Sequence, residues 1–385
     1  MGRAKSGKLR FTRINIENWR NFSKVDVELR PRVFLIGANA LGKSNFIDVF
    51  RFLRDIVSVG GGFQEAIRKR RGMSSLRFLS APRNANIAVK AYIGTEDNPE
   101  IWAYDLSIGQ DKMRRPVVRK ESISRDGNII LARPDDKDKN DPKRLTQTYL
   151  EQVHANRPFR EVADFFSSVR YLHIIPQFVR EPDLMAGRRE DASGSDFLER
   201  IAALPKSARE ARLRRIVSAL RVAIPQLTQL ELWRDERGVP RLRGRYEHWR
   251  SEGAWQTEEE FSDGTLRLLG LLWAMLDGTG PLLIEEPELS LHPDVVRFIP
   301  QMFARAQSHY GRQILLSTHS NDLLSDEGIG LDEVLLFQPG EGTSVTPASS
   351  FEEVRALLKG GSPLADAVMP RTRPNDVEQL MLFGD

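Results

Sequence analysis

Residues 34–44 read FLIGANALGKS and commit this part of the chain to one local design. They match G-x-x-x-x-G-K-[ST] at Gly37, Gly42, Lys43 and Ser44, between an apolar run at 33–36 and a helical pattern at 45–53. Strand, loop and helix in that order is the context the motif needs. The glycines let the backbone turn so that successive N–H groups point at phosphate oxygens. The helix that follows offers its positive end to the same anion. Lys43 can reach the β- and γ-phosphates, and the Ser44 hydroxyl can ligate Mg²⁺. A glycine-rich turn arising by chance would not also bring a strand, a helix and all four key residues, so the segment predicts a nucleoside triphosphate site.

The chain has 385 residues, 40% hydrophobic and 29% charged, values of a globular protein. That length can bury one large core, or one core with a subdomain. No apolar run approaches the roughly 18 residues of a membrane helix, so no membrane association is expected. The basic start MGRAKSGKLR lacks the apolar centre of a signal peptide. The absence of cysteine excludes disulfides, thiolate zinc sites and cysteine nucleophiles, and a cytoplasmic location fits. The net charge is only +4, but basic residues cluster at 68–71, at 206–221 with Arg209, Arg212, Arg214 and Arg215, and at Arg234, Arg237, Arg241, Arg243, Arg245 and Arg250. Such clusters can contact a DNA backbone without reading its sequence; solvated helix and strand faces are the competing reading.

Alternation of apolar residues predicts strands at 9–16 and 25–29, and again from about 86 to 131, where an antiparallel lobe is expected. Residues 133–144, charged and broken by proline, predict a loop. Helix is expected over 195–223, strands over 228–246, then helix 265–276, strand 281–284, helix 293–310 and strands 313–317 and 333–337. Alternating helices and strands of this kind indicate a sheet wrapped by helices, an α/β class.

Three further segments can serve a triphosphate. The strand LLIEE ends in Glu285 and Glu286, and strand ends face the ligand cleft in such sheets. Glu285 is placed to hold Mg²⁺ directly or through water, and Glu286 to orient or deprotonate a water. The helix after residue 261 opens with Ser262, Asp263 and Gly264, where a capped start can also bind an anion. His319 ends the strand QILLST and can donate to a γ-phosphate.

In this order the segments resemble the ABC-type ATPases of the RecF/SMC group, and most nearly the stand-alone ATPases related to the ATPase half of the OLD nucleases. INIENWRNF at 14–22 resembles the group's first strand and turn, FSDGTLR at 261–267 its signature loop, IEEPELSLHP at 284–293 its Walker B and D-loop, and STHS at 317–320 its switch histidine. The resemblance covers about residues 9–56 and 260–338, and implies a P-loop ATPase head with a mixed sheet, an antiparallel β lobe and a small helical lid. It divides the chain into residues 1–175 and 260–360 of the head, a lid at 176–259, and a partly disordered tail at 361–385. It implies ATP contacts from Arg20, Asn21, Asn39, Gly42, Lys43, Ser44, Asn45 and Gln177, and from Ser262, Asp263 and Gly264 of a second copy. It implies Mg²⁺ at Ser44, Glu285 and Gln177, and catalysis by Lys43, Glu286 and His319. Two departures stand out. Glu285 replaces the usual aspartate, so turnover could be slow, and the glutamine-loop residue is either Gln177, after a strand expected at 169–175, or Gln64.

The resemblance further implies a homodimer closed on ATP, with higher oligomers open, and γ-phosphate loss as a mechanical switch. Residues 178–261 are too few and too broken for a long coiled coil. No D-x-D cluster follows Phe337, so cutting of nucleic acid would fall to a separately encoded effector, a nuclease or toxin, in antiphage defence or repair. An ATP-dependent scaffold and a transporter motor are the alternatives; the S-D-G-T signature argues against the motor. A signalling GTPase is disfavoured because N-K-x-D is absent.

Overall fold

The computed structural model describes residues 8–82, 84–181, 197–247, 254–373 and 377–382. Its strands are β1 (Arg10–Trp19), β2 (Phe22–Glu28), β3 (Arg32–Gly37), β4 (Ile87–Gly94), β5 (Trp102–Gln110), β6 (Pro116–Arg125), β7 (Asn128–Arg133), β8 (Arg170–Leu172), β9 (Leu227–Arg234), β10 (Pro240–Tyr246), β11 (Ala254–Thr257), β12 (Leu282–Glu285), β13 (Ile314–Thr318), β14 (Val334–Gly340) and β15 (Gly342–Pro347). The chain divides into two compact units, Met1–Arg170 with Thr279–Leu283 and Pro300–Asp385, and Tyr171–Gly278 with Ile284–Ile299.

In the first unit the strands join in the order β7–β6–β5–β4–β1–β2–β15–β14–β3–β13–β12. β13 and β14 flank β3 in parallel, whereas β1, β2 and β4 to β7 form antiparallel pairs. This is the α/β class with a mixed sheet and an antiparallel lobe that the sequence predicts. β3 is buried from Val33 to Gly37 without alternation, as a strand covered on both faces must be. The helix Lys43–Val57 covers it with buried Phe46, Ile47, Val49, Phe50, Phe52, Leu53 and Ile56. Ring edges meet ring faces through this core: Phe46 lies 5.6 Å from Phe337 and 5.5 Å from Phe50, and Phe50 lies 4.8 Å from Phe11. Gln313 closes the far end, its amide donating to the Phe11 and Arg30 carbonyls while its oxygen accepts from the Phe11 N–H.

Several local expectations change. The loop expected at 133–144 contains a helix, Asp136–Asn140, with Asp135 and Asp138 capping each other, and a tight turn at Pro142–Thr146. The cause is Arg133, whose side chain is 0% exposed, as are those of Glu121 and Asp138. Its guanidinium donates to Glu121 at 2.9 Å, to Asp138 at 2.8 and 2.9 Å, and to the carbonyls of Arg144 and Gln147. A buried cation needs such a full shell of acceptors, and the chain bends round it. The basic run at 68–71 is likewise divided: Arg70 is buried on Asp48 and Asp55, and Arg68 pairs with Glu65. β15 occupies residues for which the pattern predicted no strand, and Gly342, at φ 82°, makes its tight turn from β14.

The second unit has its own core of Ile174, Val179, Phe197, Ile201, Leu213, Ile216, Leu220, Leu227, Leu242, Phe261, Leu269 and Trp273. Its sheet joins β11–β10–β9, antiparallel throughout. The helix expected at 195–223 is two helices, Phe197–Ala202 and Lys206–Ala223, the second preceded by Pro205 at its cap position; residues 195 and 196 lie outside the described residues. In the third basic group Arg241 pairs with Asp235, Glu258 and Glu259, and Arg243 with Glu231, while Arg250 lies outside the described residues. The helix expected at 293–310 is also two, Pro293–Val296 and Ile299–Tyr310. The expected tail contributes a helix, Leu364–Val368, with Leu364, Ala365, Ala367 and Val368 buried. Among the described residues no helix is long and apolar enough to cross a membrane.

Replacing Arg133 by methionine should cost about 3–5 kcal/mol, because Glu121 and Asp138 remain buried without their cation; urea unfolding measures it. Burial pushes the Asp138 carboxyl up, but Arg133, the Asp135 N–H and Arg144 outweigh that and hold it at about 2, below its ordinary 3.8. The stability gained through Asp138 is therefore complete above the ordinary value and is lost as pH falls toward about 2. The deficit of the methionine variant should shrink over that window.

Candidate functional site: a phosphate loop, strand-end acids and a capped helix

The phosphate loop turns on Gly42, at φ 86°, which caps the helix Lys43–Val57. A side chain there would be strained and would meet Asn21 and Phe22 at 3.1 Å. At Gly37 a Cβ would stand 2.6 Å from Phe337 Cβ, so glycine lets β3 approach β14 where the loop begins. Lys43 is buried and donates to the carbonyls of Gly37 and Ala38 at 2.8 and 3.2 Å. Its ammonium thus stays within the loop, beside the first N–H groups of the helix, an arrangement that receives an anion. Asn39 and Ser44 are exposed. Asn21 donates to the Ala40 carbonyl and accepts from the Asn45 amide. Arg20 donates to Asn45 Oδ1 at 2.9 Å and pairs with Asp48 at 3.0 Å. Arg20, Asn21 and Asn45 therefore form one hydrogen-bonded set that braces the loop.

The register pairs Thr318 with Ile36, so His319 comes one step past its strand, level with Gly37. Ser320, next to it, caps the helix Asn321–Leu324 through its hydroxyl.

Glu285 ends β12, half-buried, and accepts a hydrogen bond of 2.7 Å from the Tyr171 phenol. Glu286 follows with φ 45°, and Ser290 has φ 60°. Left-handed backbone at such residues costs about 1–2 kcal/mol each and is tolerated where function asks for it. Burial pushes the Arg267 guanidinium down, against the pull of Asp263, Glu286 and Glu288 around it. His292 is a helix cap, its Nδ1 accepting from the Asp294 N–H. Glu285 offers a carboxylate, and Ser44, in the other unit, a hydroxyl; each by itself is a hard oxygen donor of the kind that suits Mg²⁺.

Ser262 caps the helix Asp263–Leu276, its hydroxyl accepting from the Thr265 N–H at 3.2 Å. A Cβ on Gly264 would stand 2.5 Å from the Ser290 carbonyl oxygen, so the capped helix start and the turn after Glu286 lie in direct contact. Gln177 does not end a strand: β8 stops at Leu172, and Gln177 is exposed on the short helix Pro176–Arg180. Arg180, three residues on, donates to the Phe261 carbonyl at 2.7 Å and to Asp263 at 2.6 Å. Gln64 donates to the carbonyls of Pro116 and Thr146. Tyr171 and Arg180 escaped the sequence analysis because neither lies in a motif, and each is reached only through its partner; Arg267 closes the FSDGTLR segment but was given no role there.

Gly264→Ala should destabilise the protein by about 1–3 kcal/mol, since the added methyl must push back a main-chain carbonyl rather than a side chain. Urea unfolding checks it, with Gly238→Ala as a control for strain without a neighbour, as a Cβ there meets nothing within 4 Å.

Comparison with known proteins identifies the fold and the family. A segment of this chain is 43% identical over 47 residues to the Endonuclease GajA of Bacillus cereus strain VD045; the match covers 12% of this chain and only 8% of that protein. Among solved structures, the SmcHead bound to the C-winged helix domain of ScpA superposes with a TM-score of 0.55 at 13% identity, covering 87% of this chain and 97% of that one. The Smc head domain with an extended coiled coil bound to the C-terminal domain of ScpA derived from Pyrococcus furiosus gives 0.50 at 13% identity, covering 92% and 99%. The fold is that of an SMC-type ATPase head. Residues 32–326, from β3 past His319, match the family described as "AAA domain, putative AbiEii toxin, Type IV TA system", and the chain belongs to that family of P-loop ATPase domains.

Proposed function

We propose that this protein binds and hydrolyses ATP with Mg²⁺, and that two copies close head to tail over the nucleotide. The observation that carries the reading is Lys43, held inside a loop capped by left-handed Gly42 at the start of a long helix. In this reading Lys43 and the loop N–H groups bind the phosphates. Ser44 and Glu285, with Gln177, hold Mg²⁺, which when bound neutralises charge on the phosphate oxygens. Glu286 orients the attacking water and takes its proton, and His319 donates to the γ-phosphate. Ser262, Asp263 and Gly264 of the second copy complete the cage. Asn39, exposed on the loop, would add a side-chain contact to the nucleotide.

The output we infer is control of a separately encoded effector, a nuclease or toxin, acting around DNA in antiphage defence. Supporting it are the toxin–antitoxin description of the family and the endonuclease in which the short matching segment occurs. DNA contact would fall to the exposed Lys206, Arg214, Arg215 and Arg221 of the helix Lys206–Ala223, whereas Arg70 is buried and Arg241 and Arg243 are half-buried. Glu285 in place of the usual aspartate favours one second reading, a slowly hydrolysing scaffold that recruits a partner or a DNA end.

Glu286→Gln should bind ATP and sediment as a dimer with Mg²⁺–ATP, whereas a persistent monomer would overturn the sandwich. Lys43→Ala should lose nucleotide affinity by about 10- to 100-fold, the worth of a hydrogen bond to a charged group, by equilibrium binding. Phosphate release with and without DNA separates an active switch from the scaffold.

A further inference from the structure

We propose that Tyr171 is a positioning residue for Glu285, holding a carboxylate one methylene longer than aspartate in the single conformation that serves Mg²⁺–nucleotide. The inference rests on the reading of Glu285 as the acid that faces the metal.

The phenol is aimed by its strand. Tyr171 is the middle residue of β8, and Leu172, beside it, packs against the core of the second unit. Neighbouring side chains of a strand point to opposite faces, so packing of Leu172 turns Tyr171 away from that core. There its Oη donates to Glu285 Oε1 at 2.7 Å, with both side chains half-buried. A phenol donating to a carboxylate oxygen at this distance makes a short, directional hydrogen bond.

Such a bond matters more for glutamate than for aspartate. Glutamate has one more rotatable bond, and freezing it costs conformational entropy each time the carboxylate is needed in one place. The phenol fixes that torsion before the ligand arrives. An aspartate on the same backbone would end about 1.5 Å shorter, one carbon–carbon bond, drawing the carboxylate back from the phenol. Tyr171 and Glu285 thus form a matched pair in which each residue makes sense of the other.

Outer-shell partners of metal-binding groups are typically worth about 10- to 100-fold in metal affinity, and the partial exposure of this pair places it at the lower end. The experiment is equilibrium binding of ATP as Mg²⁺ is titrated, on full-length wild type, Tyr171→Phe, Glu285→Asp and the double variant, repeated in EDTA. Tyr171→Phe should need about tenfold more Mg²⁺ for half-maximal enhancement of ATP binding, and should match wild type in EDTA. In the Glu285→Asp background the same change should have no further effect, the coupling expected of a contacting pair. Wild-type behaviour of Tyr171→Phe, an equal loss in EDTA, or a loss that persists undiminished with Asp at 285 would each overturn the pairing. A wild type whose ATP binding ignores Mg²⁺ would instead overturn the underlying assignment of Glu285, and the proposal with it.

Discussion

The packing of Phe46 and Phe337 beneath the phosphate loop is the contact on which the rest depends. Phe46 lies on the first turn of the helix that Gly42 starts, and Phe337 on the strand that Gly37 abuts. Together they hold the two ends of the loop against one core. A phosphate loop binds by N–H groups that must already point inward, so the hydrophobic packing below the loop sets the electrostatics above it. Arg20, Asn21 and Asn45 add a polar brace at the same level. Arg70 fixes the next turns of the helix through Asp48 and Asp55.

The second constraint is steric. Gly264 lets the capped helix start lie against the Ser290 carbonyl, and Arg180 ties Asp263 to the short helix that carries Gln177. Within this unit the start of one helix, the turn after Glu286 and the glutamine-bearing segment are linked by direct contacts.

Charge in this protein is used inwardly more than composition suggests. A run such as RKRR at 68–71 reads as a surface patch, yet one of its arginines is a core residue because two aspartates of the neighbouring helix wait for it. Arg133 follows the same logic in a segment whose prolines and charges suggested a loop. Hydrophobic patterning is blind to these cases: a buried ion pair leaves no periodicity, and its acids, Glu121 and Asp138 for Arg133, are distant or unremarkable in the sequence.

Sequence alone determined the phosphate loop, the strand-end acids, the capped helix start and the α/β class, because each rests on local geometry: a glycine for a left-handed turn, an apolar run for a covered strand, a serine for a helix cap; the mixed sheet of the head followed from the family resemblance. Tertiary structure alone decided the rest. It placed Gln177 on a helix rather than a strand end, set Tyr171 against Glu285, joined β15 to the sheet and divided the arginines between core and surface. These depend on which side chains meet across long separations in the chain, and such meetings are set by the packing of whole elements rather than by any segment's own pattern.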